Sequence, residues 1–164
     1  MNALAYTLIT GIGATLTMDL WALVRKRLLG VAAPNYGLVG RWLGHMGQGQ
    51  FRHDAIATAR PLPGEQLIGW AAHYVTGIAF AALLIGLGGA PWMQHPTLGL
   101  ALLVGVGTVA APFLLMQPGM GAGIAASRTA RPGAARVQSL ATHAIFGLGL
   151  YFSGWLAQLV CFPQ

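Results

Sequence analysis

The side chains best suited to chemistry in this chain are one acid and two histidines placed inside long apolar stretches. Asp19 is the only acid within such a stretch, and His73 and His143 each lie early in another one. Counted along helices, all three lie at about the same depth, roughly 10 Å from the nearest charged end. Because ionisable groups inside a membrane are costly and are often functional, we predict that the three meet in one Asp/His node.

This predicted node has several chemical interpretations. Two imidazoles and a carboxylate could bind or conduct a small ion or polar ligand, relay protons, or hold a divalent transition metal with Asp19, His73 and His143 as its ligands. The structural alternative is a hydrogen-bonded lock between helices. Glu65 and His53 are further ligand-binding candidates. No ligand spacing such as His-x-x-x-His occurs, so the metal is the weaker interpretation.

A second group of candidates consists of arginines between the apolar stretches. Those that could hold a phosphate group, such as a lipid headgroup, are Arg41, Arg52, Arg60 and Arg128. The alternative is ordinary positive charge that orients the chain in the membrane. If these arginines clamp a phosphate, then His53, His73 or Glu65 could act as an acid or base on a phosphorylated lipid.

Composition indicates that membrane-spanning helices position these residues. Hydrophobic residues make up 55% and charged residues 7% of the 164-residue chain, and the mean hydropathy is +0.63. Four runs approach the roughly 20 residues that a spanning helix needs. We therefore predict an all-α integral membrane protein, a single membrane domain over 1–164, with spans at about 3–24, 67–89, 97–116 and 140–161.

Positive charge predicts the orientation of these spans. All nine Lys and Arg residues fall between spans one and two or between spans three and four. The positive-inside rule then predicts that both basic loops face the cytoplasm of a bacterial inner membrane and that both termini lie outside it. Because the charge is confined to these loops, it suits anionic lipid headgroups, and we predict no nucleic-acid partner.

One short motif indicates that the chain contains two copies of a unit. Thr-Ala-Arg-Pro occurs at Thr58–Pro61 and again at Thr129–Pro132. Each copy is followed by an apolar run that contains His-x-x-x-Gly, at His73–Gly77 and at His143–Gly147. Arg, Pro and His are scarce within these apolar surroundings, so their repeated order is informative.

The match extends upstream and defines the halves. Gly11-Ile-Gly13 in the first run has a counterpart in Gly105-Val-Gly107 in the third. We predict two helix pairs, within 1–89 and 97–164, related as a parallel repeat about an axis along the membrane normal. The acids Asp19 and Glu65 belong to the first half alone.

Two local sequence features add detail to the predicted arrangement of four spans. In the first basic loop, apolar residues recur at helical spacing and predict a short interfacial helix; they are Leu38, Trp42, Leu43 and Met46. In the third span, Pro112 predicts a kink because a proline inside a helix frees the carbonyl of the preceding turn.

Motifs along almost the whole chain resemble those of an uncharacterised bacterial family of small membrane proteins, catalogued as Domain of Unknown Function 2938. The resemblance rests on Met18-Asp19-Leu20-Trp21, Gly40-Arg41-Trp42, Arg52-His53, Gly64-Glu65, His73-Tyr74, Gln117-Pro118, Ser127-Arg128 and His143. It implies a four-span inner-membrane protein and brings no catalytic residue with it.

The function predicted from these features is binding or conduction of a small ion, metal or polar ligand at the Asp19, His73 and His143 node, by a protein that is not an enzyme. The alternatives are an enzyme acting on a phosphorylated lipid and an accessory subunit of a membrane complex. Small-residue stripes on the spans favour close helix packing and a homo-oligomer or larger membrane complex.

Overall fold

The computed structural model describes residues Ala3–Cys161, and it confirms the all-α prediction. No strand occurs between these two residues. The principal helices are α1, Ala3–Leu29; α2, Tyr36–Met46; α3, Glu65–Gln94; α4, Leu98–Gly119; and α5, Pro132–Cys161. By length and composition, α1, α3, α4 and α5 could each cross a membrane, as predicted.

The helices extend beyond the predicted spans, and two of them change geometry where the sequence carries a breaker. In α3, Gly89 interrupts the helix with a φ of 62°, at the predicted end of the second span. In α4, the first α-helical part ends at Gly107, and Pro112–Met116 forms a π-helical turn before the last turn, Gln117–Gly119. Proline cannot donate the backbone bond that an α-helix requires there, so the helix departs from α geometry near the predicted kink.

The chain folds as two compact units. The first unit comprises described residues 3–33, 74–108 and 141–161, and the second comprises 34–73 and 109–140. The first unit therefore holds most of the apolar helix length. The second holds α2 and the polar connecting segments, together with the first turns of α3 and α5.

Close helix approaches in the first unit depend on glycine. A Cβ on Gly11 of α1 would lie 2.6 Å from the Cα of Ile78 in α3. A Cβ on Gly105 of α4 would collide with the backbone of Gly147 in α5. Helices in lipid gain little hydrophobic free energy by associating with each other. Van der Waals contacts of this kind therefore contribute much of the stability of helix packing there.

Around these approaches, the first unit has a buried core of aromatic and aliphatic side chains, with Tyr6, Leu84, Phe146 and Leu150 at 0–1% exposure. The Tyr6 hydroxyl donates a 2.8 Å hydrogen bond to the Gly154 carbonyl oxygen. A buried hydroxyl without a partner would be costly, so this bond allows tyrosine to be used as a core residue.

In the second unit, α2 packs against the start of α3 at two glycines. A Cβ on Gly40 would collide with the backbone of Glu65 and Gly69, and a Cβ on Gly69 would collide with the Tyr36 carbonyl. The Asn35 side chain caps α2 by accepting a 3.0 Å bond from the Gly37 N–H. The predicted short helix is confirmed, and its glycines serve this crossing.

We expect Gly105→Ala to destabilise the fold by about 1–3 kcal/mol, because the new methyl group must displace the Gly147 backbone. Gly107→Ala is the matched control, since a Cβ there meets nothing within 4 Å. Denaturant unfolding in detergent, followed by circular dichroism, would compare the two free energies of unfolding. Equal values for both variants would contradict the proposed close approach.

Candidate functional site

A polar pocket of about 730 Å³ lies in the second unit. We call it the loop pocket. It is formed by the segment after α2 and the segment after α4, and three of its lining residues, Arg52, His53 and Arg128, are candidates from the sequence. The other lining residues are Gln50, Asp54, Ala55, Thr58, Ala59, Pro118, Gly123, Ile124 and Ser127.

Backbone hydrogen bonds join the two segments of the loop pocket. The His53 N–H donates to the Gly119 carbonyl at 2.9 Å, and the Ile56 N–H donates to the Met120 carbonyl at 3.1 Å. Gly121 adopts a φ of 94°, and a Cβ there would collide with the Asp54 carbonyl. Glycine is therefore required at this point both by backbone conformation and by space.

The wall that carries Arg128 has an unusual backbone. Ala125 and Ala126 have φ values of 47° and 59°, a left-handed conformation that disfavours residues with a Cβ. The Arg128 N–H donates to the Ala122 carbonyl at 2.8 Å, and Arg136 Nε donates to the Ala125 carbonyl at 2.8 Å. These bonds hold the segment in a conformation that costs free energy, a feature often found at functional sites.

His53 contributes a buried imidazole to the pocket wall. Its Nδ1 and Nε2 atoms are both buried, and neither has a hydrogen-bond partner within the described part of the chain. Its ring lies edge-on to that of His45, with centroids 5.1 Å apart. Because an imidazole N–H without an acceptor is costly when buried, an acceptor oxygen from a ligand would stabilise this residue.

His45 beside it is fixed by the backbone. Its Nε2 lies 3.0 Å from the Arg60 carbonyl oxygen. A carbonyl oxygen can only accept, so this nitrogen carries the proton. The Arg60 side chain does not line the loop pocket, whereas Arg52 and Arg128 do.

Arg41 is committed to contacts with protein groups. Its Nε and Nη2 donate to the two carboxylate oxygens of Glu65, each at 2.8 Å. These hydrogen bonds raise the pKa of the Arg41 guanidinium above its usual value. Its Nη1 donates to the carbonyl oxygens of Ala57 and Ala59, at 3.2 and 3.0 Å. Arg41 therefore positions the segment that carries Thr58 and Ala59 into the pocket wall, and we do not assign it to a headgroup.

Glu65 also accepts a 2.9 Å bond from the Leu62 N–H. Both oxygens of this carboxylate thus serve the folded chain, at the first residue of α3 where negative charge is favoured by the helix dipole. The sequence makes Glu65 a ligand-binding candidate, but Glu65 does not line the loop pocket.

Each residue of the predicted Asp/His node contacts at least one polar group. Tyr74 Oη donates to Asp19 at 2.9 Å. The His73 Nε2 lies 3.0 Å from Tyr36 Oη, and the two rings stack. The His143 Nδ1 lies 3.1 Å from Thr108 Oγ1. From Ala3 to Cys161, no group of three or more His, Cys, Asp or Glu side chains is arranged to hold a metal ion.

Three functional features of the pocket were not anticipated from the sequence. Asp54 and Thr58 are not among the candidates named from the sequence, and neither is the turn over 117–127. Its glycines at 119, 121 and 123 were visible in the sequence. Only the tertiary fold brings these glycines, and the turn that contains them, against His53 and Asp54.

A family model described as "Protein of unknown function (DUF2938)" matches residues 8–157 of the chain. Searches of the curated proteins and of the solved structures found no match. The matched range contains every residue that lines the loop pocket.

We expect Arg41→Gln to lower the thermal midpoint of the purified protein, because glutamine cannot replace both the bidentate pair and the two carbonyl contacts. Arg60→Gln is the matched control, since it removes an exposed arginine of the same loop. Differential scanning fluorimetry in detergent would measure both midpoints. A midpoint for Arg41→Gln equal to that of Arg60→Gln would show that the Arg41 contacts do not stabilise the fold.

Proposed function

The chain belongs to the DUF2938 family of proteins of unknown function, and because that description names no activity, we propose a function from the chain's own residues. We propose that it is a multi-pass membrane protein that binds a phosphate-bearing anion in the loop pocket. The observation that carries this proposal is the presence of Arg52, Arg128 and the unpartnered His53 imidazole in the wall of one pocket.

The donors in the pocket suit phosphate. Guanidinium groups present several N–H donors in a plane that matches pairs of phosphate oxygens. The Ser127 hydroxyl could donate to a remaining oxygen. The volume of about 730 Å³ is in the range of small-molecule sites, so it has room for an organic phosphate as well as for the anion alone.

The pocket also agrees with the proposed membrane orientation. All of its lining residues come from the two segments that carry the positive charge. If both segments face the cytoplasm of an inner membrane, as the positive-inside rule implies, the pocket opens on that side and its ligand is cytoplasmic or lies in the inner leaflet.

We further propose that the apolar helices form a duplicated pair. Gly11 of α1 approaches Gly77 and Ile78 of α3, and Gly105 of α4 approaches Gly147 of α5. In the sequence match, Gly11 corresponds to Gly105 and Gly77 corresponds to Gly147. Gly11 and Gly105, which correspond in the sequence match, thus each approach the corresponding stretch of the next apolar helix, which supports the parallel repeat.

A second candidate function, proton or cation binding at Asp19, is favoured by the hydrogen bond from Tyr74 to this carboxylate in an apolar helix. In proteoliposomes with an entrapped pH dye, we expect Asp19→Asn to abolish, and Tyr74→Phe to alter, proton movement driven by a pH step. A proton flux with the wild-type protein no greater than that of empty liposomes would refute proton transport through Asp19.

For the loop pocket, we expect Arg52→Gln and Arg128→Gln each to weaken binding of glycerol 3-phosphate about tenfold, since a charged hydrogen bond contributes roughly 1.5–3 kcal/mol. Arg131→Gln is the control, because Arg131 is an exposed arginine of the same unit that does not line the pocket. Isothermal titration calorimetry in detergent would give the Kd values. Unchanged affinity in the Arg52→Gln/Arg128→Gln double variant would refute phosphate binding here.

A further inference from the structure

We infer that the ligand of the loop pocket is an anionic glycerophospholipid, held by a phosphodiester headgroup that carries hydroxyl groups, with its hydrocarbon chains against the apolar edge of the pocket. This inference rests on the proposed phosphate binding and specifies its chemical class. Three observations carry it: the apolar edge, the charge balance and the acceptors in the pocket.

The apolar edge of the pocket is the Ile124 side chain, which lines the pocket and is 62% exposed. A soluble sugar phosphate would leave this side chain in water. A lipid would place its headgroup among the arginines and cover such side chains with hydrocarbon, which is the usual arrangement of cationic and apolar groups at a membrane surface.

The charge of the pocket matches a singly charged phosphate. Arg52 and Arg128 contribute two positive charges and Asp54 contributes one negative charge, so with His53 neutral the pocket has a formal charge of +1. A phosphodiester with no other charged group carries about −1 and balances it. A zwitterionic headgroup would leave the pocket charge uncompensated.

The acceptors in the pocket favour hydroxyl groups on that headgroup. Arginine cannot accept a hydrogen bond, whereas the Asp54 carboxylate, the Thr58 hydroxyl and the Gln50 carbonyl can. A polyol headgroup supplies donors to these atoms and leaves its phosphate to the arginines. Phosphatidylglycerol is the simplest lipid with this combination, so it is the probe that the pocket chemistry selects.

The primary test uses the wild-type protein and three probes in one detergent. Dihexanoyl phosphatidylglycerol should bind at least tenfold more tightly than glycerophosphoglycerol, its headgroup without acyl chains, and more tightly than dihexanoyl phosphatidylcholine, by isothermal titration calorimetry. Equal affinity for the lipid and the free headgroup would overturn the lipid assignment. Equal affinity for both lipids would overturn the charge and hydroxyl assignment.

Two variants test whether the acyl chains of the lipid contact the edge of the pocket. We expect Ile124→Thr to weaken phosphatidylglycerol binding about fivefold, because a partly buried ethyl group is lost, and to weaken it by more than it weakens binding of glycerophosphoglycerol, which has no acyl chain. Val137→Thr is the matched control, since Val137 is a β-branched residue with 68% exposure that does not line the pocket. An equal loss in both variants would contradict a specific chain site at Ile124.

Failure of this inference and failure of the proposed function give different results. If the Arg52→Gln/Arg128→Gln double variant loses affinity for glycerophosphoglycerol but the acyl chains add nothing in the wild type, phosphate binding stands and the ligand is soluble. If the double variant binds every probe as the wild type does, phosphate binding and the lipid assignment fail together.

Discussion

The bidentate pair between Arg41 and Glu65 is the interaction on which the candidate site depends. Arg41 lies in α2 and Glu65 is the first residue of α3, so the pair fixes how these helices cross. Gly40 and Gly69 make the crossing close enough, because a Cβ on either would strike backbone. The same guanidinium donates to the Ala57 and Ala59 carbonyls. One buried cation thus organises a helix crossing and one wall of the loop pocket, and it is not available to a ligand.

The opposite wall achieves a fixed shape by a different means. Its segment contains Gly121 and Gly123 at positive φ, followed by Ala125 and Ala126 in a left-handed conformation that alanine disfavours. Bonds from Arg128 N–H and from Arg136 Nε hold it. A wall that is already ordered loses little conformational entropy when a ligand binds, so the local strain is compatible with a binding role.

In the first unit, two polar side-chain pairs join neighbouring helices. Asp19 receives a bond from Tyr74, and His143 contacts Thr108 next to the Gly105 approach. In an apolar environment, such pairs fix the rotation of one helix against another, since an unpaired polar group would be costly. His143 therefore has a structural explanation that does not require a ligand.

The sequence by itself determined the four long apolar helices, the short helix near Trp42 and the break near Pro112, because hydrophobic runs, helical periodicity and proline act locally. It also named Arg52, His53 and Arg128 as candidates, and these three line the loop pocket. Only the tertiary structure decided which arginines share a pocket. Arg41, Arg52, Arg60 and Arg128 are equivalent as charges in a sequence, yet Arg41 is paired with Glu65 and Arg60 does not line the pocket. Which arginines line the pocket depends on where helices cross and where loops meet. Long-range packing and the backbone conformation at glycines determine these positions, and local sequence patterns do not.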